Sequence, residues 1–237
     1  MPAALPNSST APASSSLAAK LLDMLVSPGE VFDEVLAAPP RLANWLLPTL
    51  LVALATLFLF RAASGEAAAV LGASPALDSQ APIVSSAAAP AEPGLADWQR
   101  VSALGACVGA FAGTFWSAFL LWFIGRVFLK IRFSYLKALE VVALTGIILA
   151  LGTIVTALLV AASGDPATRP ALSFFTRHLP SANPVRQFLD TLNFFHLWTT
   201  TVLAIGLSRL SGVSFKESAF WVFGYWLVAR WALIFLG

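Results

Sequence analysis

The chain has 237 residues, of which 58% are hydrophobic and 11% are charged, and its mean hydropathy is +0.81. Because soluble domains carry about 25% charged residues, this composition excludes an ordinary water-soluble domain and predicts an integral membrane protein. The formal net charge of +2 and the dispersion of the 14 basic residues argue against nucleic-acid binding, and the single cysteine, Cys107, allows no intramolecular disulfide.

The first 40 residues divide into a tail and an entry segment. Residues 1–16 are rich in Pro, Ala and Ser without periodicity, which predicts a disordered tail. In the entry segment, residues 17–40, Ser27 and Glu30 are spaced as a capping box and Pro28 suits the first position of a helix. This amphipathic helix is expected to lie in the cytoplasmic membrane interface, and a partly exposed helix without lipid contact is the alternative. Its apolar side consists of Val31, Phe32, Val35 and Leu36.

Residues 41–237 are predicted to form a domain of five transmembrane helices. Each of five apolar stretches approaches or exceeds the about 20 residues that a helix needs to cross a hydrocarbon core. The predicted fold is therefore an all-α membrane bundle preceded by a short interfacial helix. The five predicted spans are residues 42–60, 101–129, 138–162, 189–208 and 219–236.

The basic residues predict the orientation of this bundle. With five spans, the N-terminus and the two short connections, residues 130–137 and 209–218, lie on one side of the membrane. Eight of the 14 Lys and Arg residues lie on or next to that side, and six lie on the opposite side. The positive-inside rule then predicts a cytoplasmic N-terminus and an external C-terminus, in the cytoplasmic (inner) membrane of a bacterium.

Three glycines in the second predicted span, Gly105, Gly109 and Gly113, are each four residues apart. This double GxxxG pattern forms a groove in which another helix backbone can approach closely, and such packing drives helix association in lipid. The groove is expected to serve helix packing, either within the bundle or along a homodimer seam.

Polar residues form a stripe on the fourth predicted span. On a continuous helix, Arg186, Asp190, Asn193, His196 and Thr200 fall within roughly a 120° sector. Ionisable groups in membrane helices face protein or water and raise a functional hypothesis. His196 is the one deep titratable group, and two interpretations of it remain open. It either takes part in proton or substrate translocation, or forms a structural hydrogen bond with a hydroxyl of the third span, from Thr145, Thr153 or Thr156.

Sequence motifs of catalysis are missing. There is no phosphate-binding Gly-Lys-Ser/Thr loop, no Gly-x-Ser-x-Gly, no His-Glu-x-x-His and no cluster of metal ligands. Glu140 is expected to form an interfacial ion pair with Lys137. We therefore predict no catalytic, cofactor-binding or metal-binding residue, and a chain that is not an enzyme.

Three short segments near the C-terminus resemble a known family. Residues 192–198 (Leu-Asn-Phe-Phe-His-Leu-Trp), 203–207 (Leu-Ala-Ile-Gly-Leu) and 212–214 (Gly-Val-Ser) are similar to the C-terminal half of bacterial Yip1-domain proteins, which are Yip1/Yif1-like integral membrane proteins. The entry segment also resembles the one that precedes the family's first span. The resemblance extends over residues 25–237 and implies five spans with a cytoplasmic N-terminus.

What this resemblance implies about activity is limited. Eukaryotic members are Golgi and endoplasmic reticulum proteins that interact with Rab GTPases and with each other in vesicle traffic. This chain lacks their Asp-Leu-Tyr-Gly-Pro segment ahead of the first span, so Rab binding is not implied. Bacterial members share no established activity, and no site residue is implied by the family.

Two functions remain as hypotheses. The first is a non-enzymatic membrane scaffold or interaction protein, active in membrane organisation or in a trafficking-like process, whose partners are the lipid bilayer and itself or other membrane proteins. The second is a small transporter or permease subunit that uses the polar face of the fourth span. The other four spans have no ionisable side chain at their centres, so the sequence favours the scaffold. Neither a cofactor nor a small-molecule substrate is predicted.

Overall fold

The computed structural model of the chain describes residues 16–63, 95–165, 168–171 and 183–236. These residues contain eight α-helices and one isolated β-bridge, with no strand. The predicted tail, apart from Ser16, lies outside the described residues, as does most of the two long connections between predicted spans, residues 62–100 and 163–188. The helices are α1 (Leu17–Asp23), α2 (Pro28–Ala37), α3 (Leu42–Ala63), α4 (Leu95–Phe123, extended by a π-helical turn, Ile124–Phe128), α5 (Tyr135–Ser163), α6 (Pro184–Thr191), α7 (Phe194–Ser211) and α8 (Phe215–Leu236).

Three described segments are long and apolar enough to cross a membrane, namely Leu42–Ala63, Leu104–Phe128 and Tyr135–Ser163. They coincide with the first three predicted spans. The helices α7 and α8, with 18 and 22 residues, lie where the fourth and fifth spans are predicted. The count of five spans stays a prediction.

Helix α5 is the centre of the bundle and α4 is at its edge. In the apolar stretch of α5, 61% of the residues are buried inside the protein, against 17% for α4. Helix α5 packs on α3, α4 and α7, and many of its side chains are fully buried. A helix that is apolar all round and mostly uncovered by protein leaves its surface to lipid.

Capping residues define the connections at one end of the bundle. The Ser134 hydroxyl accepts a hydrogen bond from the Leu136 N–H at 3.2 Å and so begins α5. Gly212 ends α7 with a φ of +72°, a left-handed conformation that glycine adopts at low cost. The two short basic connections follow α4 and α7, so these helices end beside the starts of α5 and α8.

The entry segment differs from its prediction in two respects. Helix α2 begins at Pro28 as predicted, but the Ser27 side chain makes no capping hydrogen bond, so the capping box is wrong. The Glu30 N–H donates instead to the Ser27 backbone carbonyl at 3.1 Å. The apolar side expected to face the membrane interface is covered by protein, because Val31, Phe32 and Val35 are buried where α2 packs on α7 and α5.

The fourth predicted span is not one continuous helix. Helix α6 ends at Thr191, and Leu192 has a non-helical ψ of 63°. The Asn193 side-chain oxygen then accepts a hydrogen bond from the Phe195 N–H at 2.9 Å and begins a new helix, α7. The predicted stripe assumed one helix from Arg186 to Thr200, so its 120° sector is wrong.

Candidate interaction site at the basic end of the bundle

We call the end where α3, α5 and α8 begin, and where α4 and α7 end, the basic end. The helices of the entry segment, α1 and α2, lie across it and contact α3, α5 and α7. Eight of the chain's 14 basic residues are on α1 or at these helix ends: Lys20, Arg41, Arg126, Lys130, Arg132, Lys137, Arg209 and Lys216.

A fully buried carboxylate, that of Glu140 in the first turns of α5, joins α5 to the start of α3. Its Oε1 accepts hydrogen bonds from the Arg41 backbone N–H at 2.7 Å and from the Asn44 side-chain amide at 2.8 Å. Its Oε2 accepts one from the Lys137 ammonium at 2.8 Å, which confirms the predicted ion pair. A buried charge is stable only when it is paired and hydrogen-bonded, and both conditions are met here.

The Lys137 ammonium extends this network to the entry segment. Besides binding Glu140, it donates to the backbone carbonyl of Val35 in the last turn of α2 at 2.7 Å. The carbonyls of a last helical turn have no partner within the helix and carry partial negative charge, so a cation stabilises them. One Lys–Glu pair therefore links three elements: α2, the start of α3 and the start of α5.

A second anchor is apolar and depends on a glycine. The fully buried ring of Phe32 on α2 lies beside Gly206 of α7. A Cβ atom at Gly206 would lie 3.3 Å from two Phe32 ring atoms and would clash with the Val141 side chain. Gly206 belongs to the Ala-Ile-Gly sequence that carries the family resemblance, so the structure gives that glycine a packing role.

Two further ion pairs complete the attachment of the entry segment. The Asp33 carboxylate on α2 lies 3.0 Å from the Arg209 guanidinium on α7, and both side chains are about half exposed. The Lys20 ammonium on α1 lies 3.2 Å from the Glu34 carboxylate on α2. Lys20 is nearly fully buried, so the second pair orders α1 against α2.

An open cavity of about 720 Å³ lies between α2 and the turn from α7 to α8. Pro28, Gly29 and Asp33 line it on one side, and Arg209 and Phe215 line it on the other. The Arg209 guanidinium lies across the cavity, because its Nη2 is 3.1 Å from the position of a Cβ at Gly29. The basic end thus combines a fixed entry segment with a concave, partly polar surface.

The predicted polar residues lie at the opposite end. Asn193 and His196 line a cavity of about 200 Å³ together with Thr153, Thr156 and Arg169. Thr145 is buried elsewhere on α5, Thr200 lies outside this cavity, and the side chain of Asp190 is not among those described.

The expected hydrogen bond between His196 and a threonine is not formed among the described residues. The hydroxyls of Thr145, Thr153 and Thr156 donate at 2.8 Å to the carbonyls four residues earlier in α5. Thr200 likewise donates at 2.7 Å to the backbone carbonyl of His196. Of the predicted neighbours of His196, Thr153 and Thr156 line the same cavity, but the predicted hydrogen bond is wrong.

The glycine groove of α4 is open to the surroundings. A Cβ atom built at Gly105, Gly109 or Gly113 would meet no described atom within 4 Å. Within the part of the chain that the structure describes, no other helix occupies the groove. A homodimer seam on this face stays a prediction.

The family model described as the Yip1 domain matches residues 22–236, which is nearly the whole chain. The match begins within α1 and so includes the entry segment as well as the bundle. No curated protein and no solved structure matches the chain.

Proposed function

We propose that this chain, which belongs to the Yip1-domain family of membrane proteins, is a non-enzymatic scaffold that presents a protein-binding surface at the cytoplasmic face of the membrane. The observation that supports this most is the attachment of the entry segment to the bundle. Lys137 and Phe32 fix α2 against α5 and α7, and Glu140 joins Lys137 to the start of α3. A segment that served only as a tether would need no such contacts.

The surface that this attachment holds in place is suited to a protein partner. Asp23, Glu30 and Asp33 are exposed on the entry segment, while Arg209 is exposed beside the open cavity. Exposed side chains of both charge signs near a concave surface offer polar contacts to a partner, and these contribute specificity. The proposed partners are other membrane proteins or a second copy of the chain.

The proposed location is the bacterial inner membrane, with the basic end in the cytoplasm. The excess of Lys and Arg at that end supports this orientation. A reporter that is active only outside the cytoplasm should be active when fused after Gly237 and inactive when fused near Arg132. The reverse pattern would contradict the orientation.

Site-specific photocrosslinking in native membranes tests the scaffold directly. A photoreactive residue at Glu30, which is exposed on α2, should give discrete protein adducts that mass spectrometry can identify. The same residue at Leu158, which is exposed on α5, is the matched control and should react with lipid. Phe32→Ala, which removes the apolar anchor, should weaken the Glu30 adducts. Equal adducts from the two positions would contradict the proposal.

A transporter is the second candidate, and one observation favours it. The cavity beside His196 gathers a titratable ring, two hydroxyls, an amide and the exposed Arg169. Its volume of about 200 Å³ is below the about 300–1,000 Å³ of most small-molecule sites. The His196→Gln variant separates this candidate from the scaffold.

A further inference from the structure

An apolar groove runs between α4 and α8 at the basic end. Helix α4 packs mainly on α3 and α5, while α8 packs on α7, so these two helices leave a space of about 420 Å³ between them. Leu120, Phe123 and Phe128 line one wall, and Phe220 and Gly224 line the other. The volume is within the about 300–1,000 Å³ range of small-molecule sites, and the lining is almost wholly apolar.

The groove has a defined floor and a defined upper end. A smaller cavity of about 130 Å³ shares Leu120 and Tyr225 with it and extends inward to Thr200 and Leu203 of α7. At the basic end, the rings of Phe128 and Trp221 stack with centroids 4.3 Å apart and join the two walls. Tryptophan, here Trp221, is enriched at the membrane–water interface.

Exposed cations flank the groove where it meets the basic end. Arg126 lies within the π-helical turn, Lys130 follows Phe128 by two residues, and Lys216 lies one helical turn before Phe220 on the same face of α8. Among the described residues, none of the three is within ion-pair distance of a carboxylate, whereas Lys137 and Arg209 at the same end both are. The Arg126 guanidinium lies over the Trp122 ring, 5.5 Å from its centroid, while the charges of Lys130 and Lys216 are available to an anionic ligand.

We propose that this groove binds one anionic phospholipid of the cytoplasmic leaflet. The acyl chain lies between the α4 and α8 walls, and the phosphate lies between Lys130 and Lys216. The apolar walls and the unpaired cations call for a single ligand with an apolar tail and a negatively charged head. Basic residues at the cytoplasmic surface attract such lipids. An apolar partner helix would fill the space between the walls but would leave the cations unpaired.

Native mass spectrometry of the full-length protein tests this site. The protein in neutral detergent micelles is titrated with phosphatidylglycerol and, in parallel, with phosphatidylcholine of the same chain length. The unaltered protein should retain one phosphatidylglycerol molecule in preference to phosphatidylcholine. Lys130→Gln and Lys216→Gln should each weaken phosphatidylglycerol binding about fivefold, which is what about 1 kcal/mol per basic residue implies.

A second variant tests the tail site separately from the charges. Gly224 lines the groove and a Cβ there would meet no described atom within 4 Å, so the side chain of Gly224→Leu is expected to occupy the groove. It should lower the affinity for both lipids. Gly109→Leu is the matched control, since Gly109 is equally open but lies outside the groove, and Arg169→Gln is the charge control at the opposite end. Neither control should change lipid binding.

Each outcome decides the proposal. Loss of the preference for phosphatidylglycerol in the lysine variants, together with weaker binding in Gly224→Leu, supports it. Unchanged retention in the lysine variants overturns it, even if Gly224→Leu is impaired, because the occupant would then be a neutral lipid or a partner helix. Equal effects of Lys216→Gln and Arg169→Gln would mean nonspecific attraction and would also overturn it. The scaffold function does not depend on this result.

Discussion

The buried Glu140 at the basic end and the threonines at the opposite end differ in what they hydrogen-bond to. At the basic end, both oxygens of Glu140 accept short hydrogen bonds from donors that belong to different elements of the chain. At the other end, the threonines beside His196 donate to carbonyls of their own helix. The first arrangement fixes helices to one another, while the second leaves the His196 ring facing a small cavity without a bond to these threonines. This difference indicates that the basic end is built for a fixed geometry.

The largest effect is expected from Glu140→Leu. Removing the carboxylate leaves the Lys137 ammonium and the Asn44 amide without their partner, and breaking a buried pair in this way costs about 3–5 kcal/mol of unfolding free energy. Thermal unfolding in detergent measures this loss. Glu217→Leu, at an exposed site in the first turn of α8, is the control and should cost no more than about 1 kcal/mol, the contribution of a carboxylate at a helix N-terminus. Equal melting temperatures of the two variants would show that the network does not stabilise the fold.

A smaller loss is expected from Gly206→Leu. The added side chain would clash with Val141 and displace Phe32, and overpacking of this kind typically costs about 1–3 kcal/mol. Gly109→Leu adds the same side chain to an open helix face and should leave the unfolding temperature of the monomer unchanged. If the α4 groove is a homodimer seam, Gly109→Leu should instead lower the dimer fraction in size-exclusion chromatography with light scattering. A larger destabilisation by Gly109→Leu than by Gly206→Leu would contradict the close packing at Gly206 and the open face at Gly109.

The ion pair between Asp33 and Arg209 should contribute less still. Both side chains are about half exposed, and pairs of this kind contribute about 0–1 kcal/mol. Asp33→Asn should therefore reduce stability slightly, and the reduction should disappear at high salt because ions screen exposed charges. Chemical denaturation at low and high ionic strength measures it. A salt-independent loss would indicate that Asp33 acts through packing.

His196→Gln should have the smallest effect. Glutamine keeps hydrogen-bonding capacity but cannot titrate, so a scaffold should retain normal stability and normal crosslinks from Glu30. Because the described threonines do not pair with the His196 ring, His196→Leu should also change stability little. A proton-coupled transporter needs a group that gains and loses a proton. A well-folded His196→Gln protein without cellular function would therefore favour the transporter.

Sequence patterns predicted the local features of this fold. Long apolar runs located α3, α4 and α5, and the spacing of three residues within one helix predicted the pair of Lys137 with Glu140. The other partners of Glu140 are 96 and 99 residues away in the chain, which no local pattern can indicate. Helical periodicity likewise showed that α2 has an apolar side but not that protein covers it.

The break before α7 was missed for a different reason. Hydropathy treats residues 189–208 as one apolar run, and it gives little weight to a single residue. Asn193 carried the missing signal, because asparagine is a strong N-cap and here begins a helix with its side chain. Because a new helix begins after Asn193, the residues of the predicted polar face are divided between two helices, α6 and α7.

Hydrogen exchange of the entry segment tests the central claim, that α2 is fixed to the bundle by Glu140 and Phe32. In the full-length protein, the amides of α2 should exchange about as slowly as those in the first turns of α5, because both belong to one cooperative unit. In Glu140→Leu and in Phe32→Ala, the α2 amides should exchange much faster while the centre of α5 stays protected. Rapid exchange of α2 in the unaltered protein, at the rate of an unstructured peptide, would contradict the account.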